Sequence, residues 1–257
     1  MTRIETLLHA IKDTDCESIF LTSKANVYYI SNYYTDPHER LVAVYADQIG
    51  TPLFILPEME KANALAAGWD GDIVTYSDQD DPWEIFKKQL QSSNRLPTSI
   101  GIEKDHLTVK RLEEMMTILP ETEMIDADNT LANLRVIKDN KELATLKQAA
   151  QLADLGVEIG VAAIEERKTE LEILAEIEFE LKKQGIRDMS FSTMVLTGSK
   201  TASPHGNPGL DKIKPGDFVL FDLGVVLDGY CSDITRTVAY KGIWEVFHTP
   251  YWAWNWD

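Results

Sequence analysis

"FDLGVVLDGYCSDITRT", residues 221–237, is the stretch on which the fold turns. It reads as two strands folded about the turn "LDGY", near Asp228 and Gly229. Such a hairpin carries one aspartate on each arm, Asp222 and Asp233, and antiparallel pairing brings residues of opposite arms side by side. Two carboxylates held together and flanked by apolar Phe221, Leu223 and Ile234 repel each other. A divalent metal is the economical counter-charge, because carboxylates suit hard cations. The alternative is a pair of strand-end or turn acids facing water, since Asp is common near turns. Spacing alone leaves both open.

Working back from the hairpin, "KIKPGD" (212–217) is a turn into its first strand, and "TASPHGNPG" (201–209) is a loop that holds His205 between Pro204 and Gly206. A lone histidine is usually structural or merely exposed, but loops are also where functional residues concentrate. "FSTMVLTG" (191–198) carries a β signal. "TELEILAEIEFELKKQG" (169–185) opens with Thr169 and Glu172 as a capping box and closes on Gly185. Before it lies one long helical pattern, or two helices meeting near Lys138. Helices followed by an antiparallel hairpin predict an α+β domain over 128–241.

Residues 1–127 have a different texture. Helical spacing in "IETLLHAIKDTD" is followed by strand-like "SIFLTS" and "VYYISNYY", then by "RLVAVYA" and "TPLFILP" about the turn "DQIG". "EMEKANALAAG" is a helix stopped by Gly68, and strands and helices then alternate up to "EMIDAD". This predicts a compact α/β domain.

The net charge of −17 excludes the basic face that nucleic acid or an anionic membrane surface requires. Cys16 and Cys231 stand far apart without metal-ligand spacing, which fits a reducing cytosol. The N-terminal stretch carries acids and is neither a signal peptide nor a membrane span, so a cytoplasmic chain is expected.

"LRVIKDNKELATLKQAA" (134–150), "TELEILAEIEFELKKQG", "SFSTMVLTG", "SPHGNP", "KIKPGDFVLFDLG" and "GYCSDITRTV" together resemble the pita-bread metallopeptidases. The match is nearest to Xaa-Pro dipeptidases (prolidases) with a creatinase-like N-terminal domain. It runs from about residue 5 to about residue 240 and is most specific from Pro204 to Thr237. "YYTDPHERL" (33–41) is similar to bacterial members.

The resemblance implies an α/β creatinase-like domain followed by an α+β pita-bread catalytic domain, the latter truncated. It implies two divalent ions (Mn, Co or Zn) held by Asp, Asp, His, Glu and Glu. Asp222 and Asp233 match the first two, the second of them bridging the metals, and His205 matches the histidine that contacts the substrate. It further implies that a water shared by the metals would attack the carbonyl of an Xaa-Pro peptide. "DPHER" (36–40) is implied to reach the neighbour's active site in a homodimer, which makes His38 and Arg40 substrate-binding; a plain surface turn is the alternative.

The other three ligands lie later in the family than this chain runs. Glu245 and His248 have the right types in the wrong surroundings. The final residues, "GIWEVFHTPYWAWNWD" (242–257), hold four of the six tryptophans. Read one base later, each of those Trp codons must give Gly, and one allowed codon choice turns Thr249 and Ala253 into His. An out-of-frame ligand segment is therefore expected there. Metal binding is expected to be weak or absent and activity impaired; the rival is a non-catalytic remnant or dimerisation module.

Overall fold

The computed structural model describes residues 2–242, so the tail expected from 242 onward lies, beyond Gly242 itself, outside the described residues. The chain divides into two compact units, Met1–Lys138 and a second beginning at Asp139.

The first unit runs α1 (Arg3–Lys12), β1 (Ser18–Leu21), α2 (Lys24–Ser31), β2 (Ala43–Asp47), β3 (Leu53–Pro57), α3 (Lys61–Ala66), β4 (Asp72–Tyr76), α4 (Pro82–Ser92), β5 (Ser99–Ile102), α5 (Val109–Ile118), β6 (Glu123–Asp126) and α6 (Asp128–Val136). The strands form one sheet in the order β4-β3-β2-β1-β5-β6. β1–β2 and β2–β3 are antiparallel; β3–β4, β1–β5 and β5–β6 are parallel. Every residue of β1, β2 and β3 is buried. That follows from helices on both faces, because successive side chains of a strand point opposite ways. Phe20, Tyr45 and Ile55 pack with Phe86 and Met115 on one face, while Ile19, Val44 and Phe54 pack with Leu7, Ile11 and Val27 on the other.

Two expectations need correction here. "VYYISNYY" is strand-like in sequence, yet its first five residues lie in helix α2. The Ser23 hydroxyl accepts the Asn26 N–H, and the Glu103 carboxylate, 80 residues away, accepts the Ser23 N–H at 2.9 Å. That distant cap, with Val27 and Ile30 turned inward, overrides the β propensity of the tyrosines. The boundary expected at 127 also moves. Leu131 of α6 is buried in the first unit's core and Leu134 packs against it, so the unit closes at Lys138. The long helical pattern is two helices, as one of the alternatives had it.

The second unit contains α7 (Asn140–Ala162), α8 (Glu170–Lys183), β7 (Asp188–Met189), β8 (Met194–Thr197), β9 (Phe218–Leu223), β10 (Val225–Leu227), β11 (Tyr230–Cys231) and β12 (Ile234–Ala239). Capping boxes start both helices, Asp139 with Glu142 and Thr169 with Glu172. The strands make two antiparallel three-stranded sheets, β11-β10-β7 and β12-β9-β8. The expected hairpin runs through both, β9–β10 on one arm and β11–β12 on the other. At its tip Asp228 (φ 45°) and Gly229 (φ 75°) are both left-handed, as a two-residue turn of the I′ type requires. Val219, Phe221 and Leu223 face inward onto Ile173, Ile177 and Leu181 of α8 and onto Ala153 and Val157 of α7.

Candidate metal centre and peptide-contact residues

Register places the two aspartates. Ile234 lies opposite Leu223 and Thr235 opposite Asp222. Beyond the break between the sheets, Cys231 lies opposite Val226 and Tyr230 opposite Leu227. Both pairings share one register, so Asp233, just before β12, falls opposite Gly224. Asp222 and Asp233 are thus diagonal neighbours on one face, rather than directly paired, and diagonal neighbours on a ladder stand roughly 7 Å apart. Since Phe221 and Leu223 face the core, Asp222 faces outward; it is half-buried and Asp233 is exposed.

Neighbours fix the Asp222 carboxylate and the backbone beside Asp233. The Thr235 hydroxyl donates to Asp222 Oδ1 at 2.9 Å. At the Asp233 break, Ser190 clasps both arms: its N–H donates to the Gly224 carbonyl at 2.9 Å and its hydroxyl to the Ser232 carbonyl at 2.7 Å. No local pattern marks Thr235 or Ser190 for these roles, because each acts across strands.

His205 is exposed in a turn closed by the Gly206 N–H on the Ser203 carbonyl, with Pro204 at its first central position. A Cβ on Gly206 would stand 2.5 Å from Leu196 Cδ1. Leu196 pairs with Leu220, and Met194 with Asp222, so Leu196 shares the outward face of the aspartates. The His205 loop therefore lies over the same sheet face as Asp222 and Asp233.

His38 and Arg40 are in the first unit, at an exposed turn where the Arg40 N–H donates to the Pro37 carbonyl and His38 has φ 52°. Arg40 is engaged by Asp78, with Nε–Oδ1 at 3.2 Å, and hydrogen bonding to Asp78 raises its already high pKa. Arg111 Nη2 donates to the Arg40 carbonyl at 3.0 Å. These residues line a cleft of about 900 Å³ with Tyr76 and His106.

As a donor set, Asp222 and Asp233 fit a hard divalent cation: carboxylate oxygens, one face, no competing salt bridge among those described. They are a partial set. Among the described residues no three His, Cys, Asp or Glu side chains gather where they could hold a metal.

Comparison with known proteins agrees with this layout. A sequence model of the creatinase/prolidase N-terminal domain matches residues 3–137, and one of metallopeptidase family M24 matches residues 144–248. YkvY, a Bacillus subtilis protein assigned as a dipeptidase, is 48% identical over 243 residues, which are 95% of this chain and 67% of YkvY. The chain belongs to the creatinase/prolidase group of M24 metallopeptidases.

Solved structures carry the same fold. An Xaa-Pro dipeptidase from Bacillus anthracis superposes with TM-score 0.82 at 30% identity, over 92% of this chain and 64% of that one. The prolidase from Pyrococcus horikoshii gives 0.83 at 26%, over 93% and 65%. The chain thus spans about two thirds of the length of the relatives it matches. M24 is a family of dinuclear metal peptidases, and the aspartate hairpin lies within the M24 match. No helix of the described residues is long and apolar enough to cross a membrane.

Proposed function

We propose that this M24 chain is of Xaa-Pro dipeptidase type and is directed at the peptide bond preceding proline. The observation that carries it is the shared sheet face of Asp222, Asp233 and the His205 loop. In this reading Asp222 and Asp233 would offer carboxylate oxygens to the metal pair. Thr235 holds Asp222 in one orientation, and Ser190 holds the backbone from which Asp233 projects. Two divalent ions (Mn, Co or Zn), when bound, supply Lewis acidity and a nucleophile available at neutral pH. His205 donates from its imidazole to the peptide. His38 and Arg40 form a substrate-binding turn, its backbone set by Arg111 and its Arg40 guanidinium by Asp78. A homodimer in the cytoplasm completes the reading; free Cys16 and Cys231 support a reducing compartment.

Two carboxylates give at most four oxygens, all from one hairpin. A polypeptide of residues 1–257 is therefore expected to bind metal weakly and to turn over little or no Xaa-Pro dipeptide, since two-metal hydrolysis needs ions held at fixed separation. The test is incubation of that purified polypeptide with Mn, Co or Zn and glycylproline, with proline release measured. No release above the metal-only blank is expected. Robust release that vanishes in Asp233→Ala would overturn the impairment and establish the site; robust release that survives Asp233→Ala would overturn the site itself.

A further inference from the structure

We infer that Glu170 is a positioning residue for the His205 loop: its buried carboxylate closes the loop from Thr197 to Gly209 and so sets where His205 is presented. The functional half of this rests on the reading of His205 as a peptide contact.

Glu170 is the first residue of α8 and is 0% exposed. A carboxylate is almost never buried so fully unless its oxygens are satisfied. Among the described residues, the donors to that carboxylate all come from one loop. Oε1 accepts the Thr197 N–H at 2.8 Å, where the loop departs from β8. Oε2 accepts the Gly209 N–H at 2.7 Å, where the loop returns, and the Lys200 ammonium at 2.6 Å from within it. Lys200 also donates to Asp211 at 2.8 Å, and these two bonds, Asp211 first, raise its pKa. The Glu170 and Leu171 N–H groups in turn donate to the carbonyls of Asp211 and Gly209. One side chain thus holds both ends of the loop, with His205 exposed between them.

The bonding pattern makes a sharp substitution possible. In Glu170→Gln the shape is kept, but one oxygen becomes an NH2 group. Whichever way the amide turns, that group meets either the Thr197 N–H or the Gly209 N–H and Lys200, a donor against a donor. One end of the loop must let go.

Amide hydrogen exchange of the full polypeptide, wild type against Glu170→Gln, reads the consequence. Exchange across residues 199–208 is expected to rise about tenfold or more, the scale of losing charge-assisted hydrogen bonds, with β9 and β12 nearly unchanged. An unchanged loop overturns the proposal. A rise spread evenly over the second unit would mean that Glu170 supports the fold at large, which also overturns it. If Glu170→Gln does not fold, Lys200→Met decides: its side chain is part-exposed and both backbone bonds to Glu170 remain. A smaller rise confined to 199–208 supports the closure, and no local rise refutes it.

The ring resonances of His205, followed on adding glycylproline, separate the two halves. The expected result is a shift in the native chain that is lost in Glu170→Gln. No shift in the native chain, with the exchange result intact, removes the peptide-contact reading and leaves Glu170 as a structural closure only.

Discussion

Asp47 and Arg95 are both buried, and they show how a buried charge pair is made tolerable. Arg95 Nε donates to Asp47 Oδ2 at 2.8 Å and Nη1 to the Thr51 carbonyl at 2.8 Å. Asp47 Oδ1 accepts the Ile49 and Gly50 N–H groups, and the Tyr45 hydroxyl donates to Oδ2. Burial pushes the Asp47 carboxyl up, but the Arg95 hydrogen bond and the two amides outweigh it, so its pKa lies below the ordinary value. A carboxyl depressed in the folded state contributes stability that is fully present above the unfolded value of about 3.9 and is lost as pH falls through the folded one. Arg95→Met leaves that carboxylate buried without its cation. It is expected to cost about 3–5 kcal/mol in urea unfolding at neutral pH, and less as pH falls and the stranded carboxyl takes up a proton. A variant as stable as the native protein would show that the pair is replaceable. At this scale the site was partly legible: the chemical types of Asp222, Asp233 and His205 stand in the sequence, but Glu170, Ser190 and Thr235 do not announce themselves. A Glu in a helix's first turn is common for reasons of the helix dipole alone, and only its burial marks Glu170.

At the scale of elements, α7 is the seat on which the aspartate strand rests. A Cβ on Gly160 would stand 2.6 Å from Phe221 Cε1 and 2.8 Å from Ile177 Cδ1. In an exposed helix, Gly→Ala gains about 1 kcal/mol from propensity. Here the methyl must displace a fully buried ring, so overpacking of about 1–3 kcal/mol wins and Gly160→Ala is expected to destabilise the second unit. Because Phe221 precedes Asp222, the displacement is also expected to shift the backbone resonances of Asp222 in the folded fraction. A Gly160→Ala protein more stable than the native one would mean that the packing there is loose. Helix α2 shows the opposite case. Its sequence is rich in β-formers, and it is helical because Glu103 and the sheet demand it.

For the whole molecule, the first unit holds its own core on both faces of one six-stranded sheet. It is expected to fold alone when expressed as residues 1–138. The shorter residues 1–127 would lack α6, and burial of Leu131 alone is worth about 2–5 kcal/mol by comparison with core truncations. Denaturant melts of the two fragments check this: equal stability would return the boundary to 127. Limited proteolysis of the full polypeptide should likewise leave a fragment ending near Lys138.

The sequence by itself determined what neighbouring residues settle among themselves. The Asp228-Gly229 turn, the Thr169–Glu172 capping box and the stop at Gly185 are all decided within about four residues, and each stands in the structure as read. The motifs from Pro204 to Thr237 likewise carried the family. Tertiary structure alone decided whatever depends on partners far along the chain: helix at α2 through Glu103, closure of the first unit on Leu131, and a common face for His205 and the aspartates. Register adds up over a whole sheet, and a buried carboxylate such as Glu170 finds its donors up to 39 residues away, so no local pattern encodes either.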